Sequence, residues 1–178
     1  MLDPDRIPDP DRIPDAGPAC GLRIEAAPAD FADWAGLLAL VRRAFAYMEG
    51  RVDPPSSLTR MDAAAMRAKA AAETLLLAHD GAGRLVGCLF ADDRGEALYV
   101  GKLAVEPARQ GERIGARLMA AAEALARARR LPALELETRV ELTGNHAAFA
   151  RMGFAKIAEK AHAGYDRPTS FTFRKALD

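Results

Sequence analysis

The sequence predicts an α/β (α+β) fold: a mixed, mostly antiparallel twisted sheet of about six to seven strands flanked by about four helices. Three observations carry this expectation. Short apolar runs suited to strands recur along the chain, and helical periodicities separate some of them. One small-residue loop joins a strand directly to a long helical run.

Leu22-Arg23-Ile24-Glu25 is expected as a first strand. Asp30 is expected to cap a helix with apolar residues at Phe31, Trp34, Leu38, Val41, Phe45 and Met48, a spacing of three and four that marks one buried face. Gly50 and Asp53-Pro54-Pro55-Ser56-Ser57 end it in a loop, and an Ala-rich helix follows from near Arg60 to Ala72. Residues 74–79 and 85–90 form a hairpin about Asp80-Gly81-Ala82-Gly83, and residues 97–105 add a third strand to the meander. After the loop, Ile114, Leu118, Ala122 and Leu125 share one helix face, and Glu123 precedes Arg127 in the favoured i,i+4 order. Residues 133–138 alternate as a strand. Asn145 is expected to open a short helix that Gly153 terminates. Residues 155–159 and 170–173 read as closing strands around the polar loop 162–169.

Composition narrows the function. Lys+Arg and Asp+Glu balance at 25 each, so no global field steers the chain to nucleic acid or to a membrane surface. No apolar run approaches the roughly 20 residues that span a bilayer. Cys20 and Cys88 are isolated, without metal-ligand spacing, and fit inert thiols in a reducing cytosol. The expectations are therefore a cytoplasmic protein with no metal site. Asp3-Pro4-Asp5-Arg6-Ile7-Pro8 repeats as Asp9-Pro10-Asp11-Arg12-Ile13-Pro14, so residues 1–20 are expected as a disordered Pro/Asp-rich tail and residues 21–178 as one domain.

Gln110-Gly111-Glu112-Arg113-Ile114-Gly115-Ala116 is the stretch richest in chemistry. A helix's first N–H groups lack intrahelical partners and carry partial positive charge, so a strand, a small-residue loop and a helix N-terminus make an anion site. The element order excludes a dinucleotide-binding fold, whose glycine loop follows its first strand. A phosphate-binding loop ending in Gly-Lys-Ser/Thr is absent.

Leu103-Ala104-Val105-x-Pro107 followed by Gln110-x-x-Arg113-x-Gly115, with Asn145-x-x-x-Phe149-x-x-x-Gly153-Phe154 downstream, resembles the GNAT superfamily of acetyl-CoA-dependent N-acetyltransferases. The resemblance covers roughly residues 22 to 175 and implies a GNAT-like sheet. It also implies acetyl-CoA as co-substrate and direct transfer of an acetyl group to a primary amine of a small molecule or peptide. Leu103, Ala104 and Val105 would bind pantetheine and polarise the thioester carbonyl. Amides from Gln110, Gly111, Glu112, Arg113, Ile114, Gly115 and Ala116 would hold the pyrophosphate. Asn145 suits the cofactor's polar arm or a helix cap, and Phe149 is also expected to bind the cofactor. The resemblance leaves a homodimer open as an assembly.

Two departures from the family pattern matter. Arg113 replaces the first loop glycine and, at a helix's first turn, is expected to need only ordinary helical angles. Its guanidinium either reaches a phosphate or faces solvent. Phe149 stands where many members have a tyrosine that protonates the leaving thiolate. His162 and Tyr165 are the expected catalytic residues, with Tyr165 as the replacement phenol. Glu49, Arg51 and Asp53 are the expected acceptor residues. Tyr99 and Lys102 are expected on opposite faces of their strand, while Glu135, Glu137 and Arg139 share one face. The alternative function is an acyl-CoA-binding regulatory module with little turnover. An acetyltransferase acting on nucleic acid is disfavoured by the neutral charge.

Overall fold

The computed structural model describes residues 21–178. The tail expected over residues 1–20 lies outside the described residues. Along the chain run β1 (Arg23–Ala26), α1 (Trp34–Phe45), α2 (Ala63–Ala72), β2 (Thr74–His79), β3 (Leu85–Asp93), β4 (Leu98–Val105), α3 (Ile114–Ala128), β5 (Ala133–Arg139), α4 (Thr143–Arg151), β6 (Ala155–Lys160) and β7 (Ser170–Ala176). One seven-stranded sheet has the order β1-β2-β3-β4-β5-β7-β6. Its neighbours are antiparallel except β4 and β5, which run parallel. This is the mixed, mostly antiparallel architecture expected.

Both faces of the central strands are covered, which is why they read as continuous apolar runs rather than strict alternation. On one face α3 packs Leu118, Ala122 and Leu125 against Leu76, Leu89, Leu98 and Leu134. On the other, Leu37, Leu40, Val41 and Met66 of α1 and α2 cover Leu75, Leu77, Cys88 and Phe90. A Cβ on Gly87 would lie 3.1 Å from the Ala104 carbonyl, Ile114 Cγ2 and Leu118 Cδ1, so this glycine sets the close approach of α3 to β3. Burial pushes the Cys88 thiol up to about 12, which makes it an unreactive core residue.

Several boundaries differ from the expectation. Asp33, not Asp30, caps α1 by accepting from the Gly36 N–H at 2.9 Å, and Phe31 instead packs edge-on against Trp34 ahead of the helix. Met48 lies in a tight turn after α1. Asp62 caps α2 through the Ala65 N–H, so that helix, expected from near Arg60, begins at Ala63 and ends at Ala72. Asn145 lies inside α4, whose capping position is Leu142, so it does not open that helix.

The main correction concerns β4. Cys88 pairs with Ala104 but Phe90 pairs with Gly101, so β4 carries one extra residue there. Lys102 has φ 51, and this bulge shifts the alternation of the strand. Tyr99 and Lys102 therefore line the same cavity instead of opposite faces. The parallel pairing of β4 with β5 covers only Leu98–Val100 against Leu134–Leu136, and the two strands part beyond it.

Candidate active site

Where β4 leaves β5, a cavity of about 790 Å³ opens. Its walls come from β4, β5, the start of α3, α4, and the segment between α1 and α2. Beyond Val100 the β4 edge has no β5 partner, which leaves the backbone of Gly101 to Val105 to bond a bound molecule. Leu103 and Val105 line the cavity on this stretch.

At one end of the cavity the loop from Gln110 to Ala116 turns into α3. Gly111 has φ 89 and Arg113 has φ 62, in the left-handed region rather than the helical one expected. Arg113 is the N-cap of α3 and makes no capping hydrogen bond through its side chain. A left-handed residue followed by helical ones turns successive N–H groups to one side, which makes a nest for an anion. The first amide bonded back into α3 is that of Arg117, to the Arg113 carbonyl at 3.0 Å, so those of Ile114, Gly115 and Ala116 precede the helical bonding.

A charged knot anchors this loop. Arg109 bonds Glu112 at 2.6 Å and Asp80 at 3.3 Å, and Asp80 also accepts from Ala82 N, Arg84 N and Arg84 Nε at 2.9–3.0 Å. The Arg84 guanidinium, more than any other group, lowers the Asp80 carboxyl to about 2.

The opposite end of the cavity is held by long-range polar contacts. Arg139 is buried and donates to the carbonyls of Pro54 and Pro55, while its Nη1 lies 3.1 Å from His162 Nδ1. Because a guanidinium only donates, the His162 nitrogen facing it accepts. Thr169 Oγ1 lies 2.5 Å from the same Nδ1. Asn145 donates to the Tyr47 hydroxyl at 3.1 Å, tying α4 to the turn after α1. Phe149 packs with its ring 6.0 Å from Phe154 and 6.3 Å from Phe173.

The expected site residues fall into two groups. Leu103, Val105, Gln110, Gly115, Asn145, Phe149 and His162 line the cavity, as do Glu137 and Arg139. Ala104 is buried in the core beneath it, Ile114 is buried at the first position of α3, and Gly111, Glu112 and Arg113 are exposed on the loop. Glu49 and Arg51 are exposed and do not line the cavity. Asp53, Tyr165 and Arg167 do not line the cavity but bind one another beside Pro54, which does, while Glu135 bonds Arg174. Of the other histidines, His146 bonds the Arg139 carbonyl and packs on Phe171 and Phe173, and His79 lies 3.6 Å from Glu25. Tyr47 and Lys69 were not expected at the site. Lys69 had a visible signal, its i,i+4 relation to Glu73, but nothing in the sequence turned that pair toward the cavity.

The acetyltransferase (GNAT) family model matches residues 34–154, from the start of α1 to the turn after α4. The chain belongs to the GNAT acetyltransferase family. Its fold is similar to that of a candidate acyl-CoA N-acyltransferase from Klebsiella pneumoniae, at 25% identity and a TM-score of 0.63, over 88% of this chain and 98% of that one. It is also similar to an acetyltransferase from Streptococcus agalactiae, at 19% identity and a TM-score of 0.68, over 88% and 99% of the two chains. A GNAT acetyltransferase from Elizabethkingia anophelis, solved with acetyl-CoA bound, matches at 16% identity and a TM-score of 0.67, over 88% and 99%. No curated protein sequence matches the chain. In this GNAT chain, the matched family segment ends before the 162–169 loop and β7, which supply His162 and Ser170 to the cavity. Among the described residues, no group of His, Cys, Asp and Glu is placed to hold a metal ion, and no helix is long and apolar enough to cross a membrane.

Proposed function

We propose that residues 21–178 form one acetyltransferase domain that moves an acetyl group from acetyl-CoA to a primary amine of a small molecule or peptide by direct transfer. The observation that carries this reading is the parting of β4 from β5, which joins an anion nest to an unpaired strand edge along one cavity. The donor fits those two features. A diphosphate needs convergent N–H groups, and an amide-rich pantetheine arm needs a free strand edge. Acetyl-CoA supplies the activated thioester carbonyl.

The chain's own groups then have defined work. N–H groups on the free β4 edge polarise the carbonyl where negative charge develops. An attacking amine forms the C–N bond as the C–S bond breaks, and it must lose a proton. His162, on the cavity wall, is the proposed acceptor of that proton, directly or through water. Tyr165 is the nearby phenol, held by Asp53.

The test incubates the full chain with acetyl-CoA and an amine library, following CoA thiol release and product mass. Acetylated amine formed in step with CoA is the expected result. One observation favours a second reading, an acyl-CoA-binding module with little turnover: Phe149 presents no hydroxyl to the cavity. Tight acetyl-CoA binding with no amine acetylated would select that reading.

A further inference from the structure

Away from the anion nest, the cavity wall carries Arg60, Lys69, Lys102 and Arg139 against a single carboxylate, Glu137. Most of these charges are already matched. Glu137 pairs with Lys160, Arg139 is given to the two proline carbonyls, and Lys69 pairs with Glu73. Lys102 is different. Among the described residues its ammonium has no hydrogen-bond or ion-pair partner, although the side chain is half-buried.

The backbone explains why a lysine stands there. Lys102 is the extra residue of the β4 bulge, which turns its side chain toward the α2 side of the cavity. Lys69 approaches from α2, its Nζ 5.4 Å from the centre of the Phe90 ring, and Phe90 pairs with Gly101 beside the bulge. Burial and the nearby Lys69 charge both lower the Lys102 pKa, and the Glu73 charge offsets them only in part. Two ammonium groups and one shared carboxylate leave net positive charge on a wall partly removed from water. An incoming anion gains a charge-assisted hydrogen bond there and relieves the repulsion between the lysines.

We propose that the acceptor carries an anionic group, a carboxylate or a phosphate, which Lys102 binds with Lys69 beside it while the acceptor's amine faces the thioester. This rests on the amine-transfer reading for the place of the acceptor. It excludes polycationic amines, which meet like charge at this wall.

The test uses the full chain and matched probes. Free amino acids are compared with their primary amides, and aminoalkyl phosphonates with alkylamines of equal length, so that carboxylate and phosphate-like anions are separated. In the wild type, kcat/KM for the anionic member of a pair is expected to exceed that of the neutral one by about tenfold or more. Lys102→Met should remove that preference through KM, Lys102→Arg should keep most of it, and acetyl-CoA affinity should stay unchanged in both. A parallel calorimetric titration of 3-phenylpropionate and 3-phenylpropionamide into the CoA-loaded protein reads the subsite without turnover. Only the carboxylate should bind, and only when Lys102 is present.

Equal use of anionic and neutral partners would overturn the inference while leaving the transfer reading intact. Carboxylate binding that depends on Lys102, with no amine acetylated, would support the subsite and sink the transfer reading instead. A fall in kcat on Lys102→Met that is equal for both members of a pair, with an altered pH profile, would make Lys102 a proton-transfer group and overturn the anion site.

Discussion

The Tyr165 phenol donates to Asp53 Oδ1 across 2.5 Å, joining the loop between β6 and β7 to the segment that follows α1. Arg167 binds the other oxygen of the same carboxylate at 2.7 Å. The bond to Asp53, with smaller help from desolvation, raises the Tyr165 pKa, so the phenol holds its proton more tightly than a free tyrosine.

That geometry predicts a positioning role for Tyr165. Tyr165→Phe and Asp53→Asn should each lower kcat/KM by roughly threefold to tenfold, the scale of one lost hydrogen bond, with an unchanged pH profile. A loss of about 10²–10⁴ in kcat for Tyr165→Phe alone would identify it as the catalytic acid instead. Steady-state kinetics across pH distinguish the two.

Gly115→Glu should weaken acetyl-CoA binding at least about tenfold by calorimetry, since it sets a carboxylate against the diphosphate. A Cβ at this position meets only Val105 Cγ2, at an ordinary 3.6 Å, so Gly115→Ala is the folding control and should bind nearly as the wild type. Wild-type affinity in the Glu variant would place the diphosphate elsewhere.

Asp80 gives the loop an acid limit. Its folded pKa of about 2 lies below the ordinary value of 3.8, so its contribution is fully present above about pH 4 and is lost as pH falls through 2. Urea unfolding of Asp80→Asn from neutral pH downward should show a protein less stable near neutrality. Its decline between about pH 4 and 2 should be shallower than that of the wild type. Parallel acid limbs would mean that another carboxylate sets the slope.

Leu118 is fully buried where α3 meets β3, and Leu118→Ala should cost about 2–5 kcal/mol in urea unfolding. Ile157 on the outer strand β6 is 53% exposed, and Ile157→Ala should stay within about 0.5 kcal/mol of wild type. Comparable losses at both positions would show that the exposed face of β6 is covered in solution.

Much of the fold was legible because its signals are local. The runs that became β2, β3 and α3 carry their own periodicity, and the loop from Gln110 to Ala116 announces itself by its place between a strand and a helix. Helix starts were less legible, because several short polar side chains compete to cap one end. Asp33 and Asp62 won that competition through bonds to Gly36 and Ala65. The end of the cavity around Arg139 and Asn145 was the least legible. Arg139 reaches Pro54 and Pro55 across more than 80 residues, and Asn145 reaches Tyr47 across 98, separations that no local pattern encodes.

By itself, then, the sequence determined the order of elements, the apolar faces and the place of the Gln110–Ala116 loop between strand and helix, because each depends on residues a few positions apart. The tertiary structure decided the rest. One extra residue in β4 swung Lys102 onto the wall that Tyr99 already lined, and the parting of β4 from β5 made that wall a cavity. A bulge is a property of two paired strands, so the register that turns this lysine inward exists only once β3 and β4 have met.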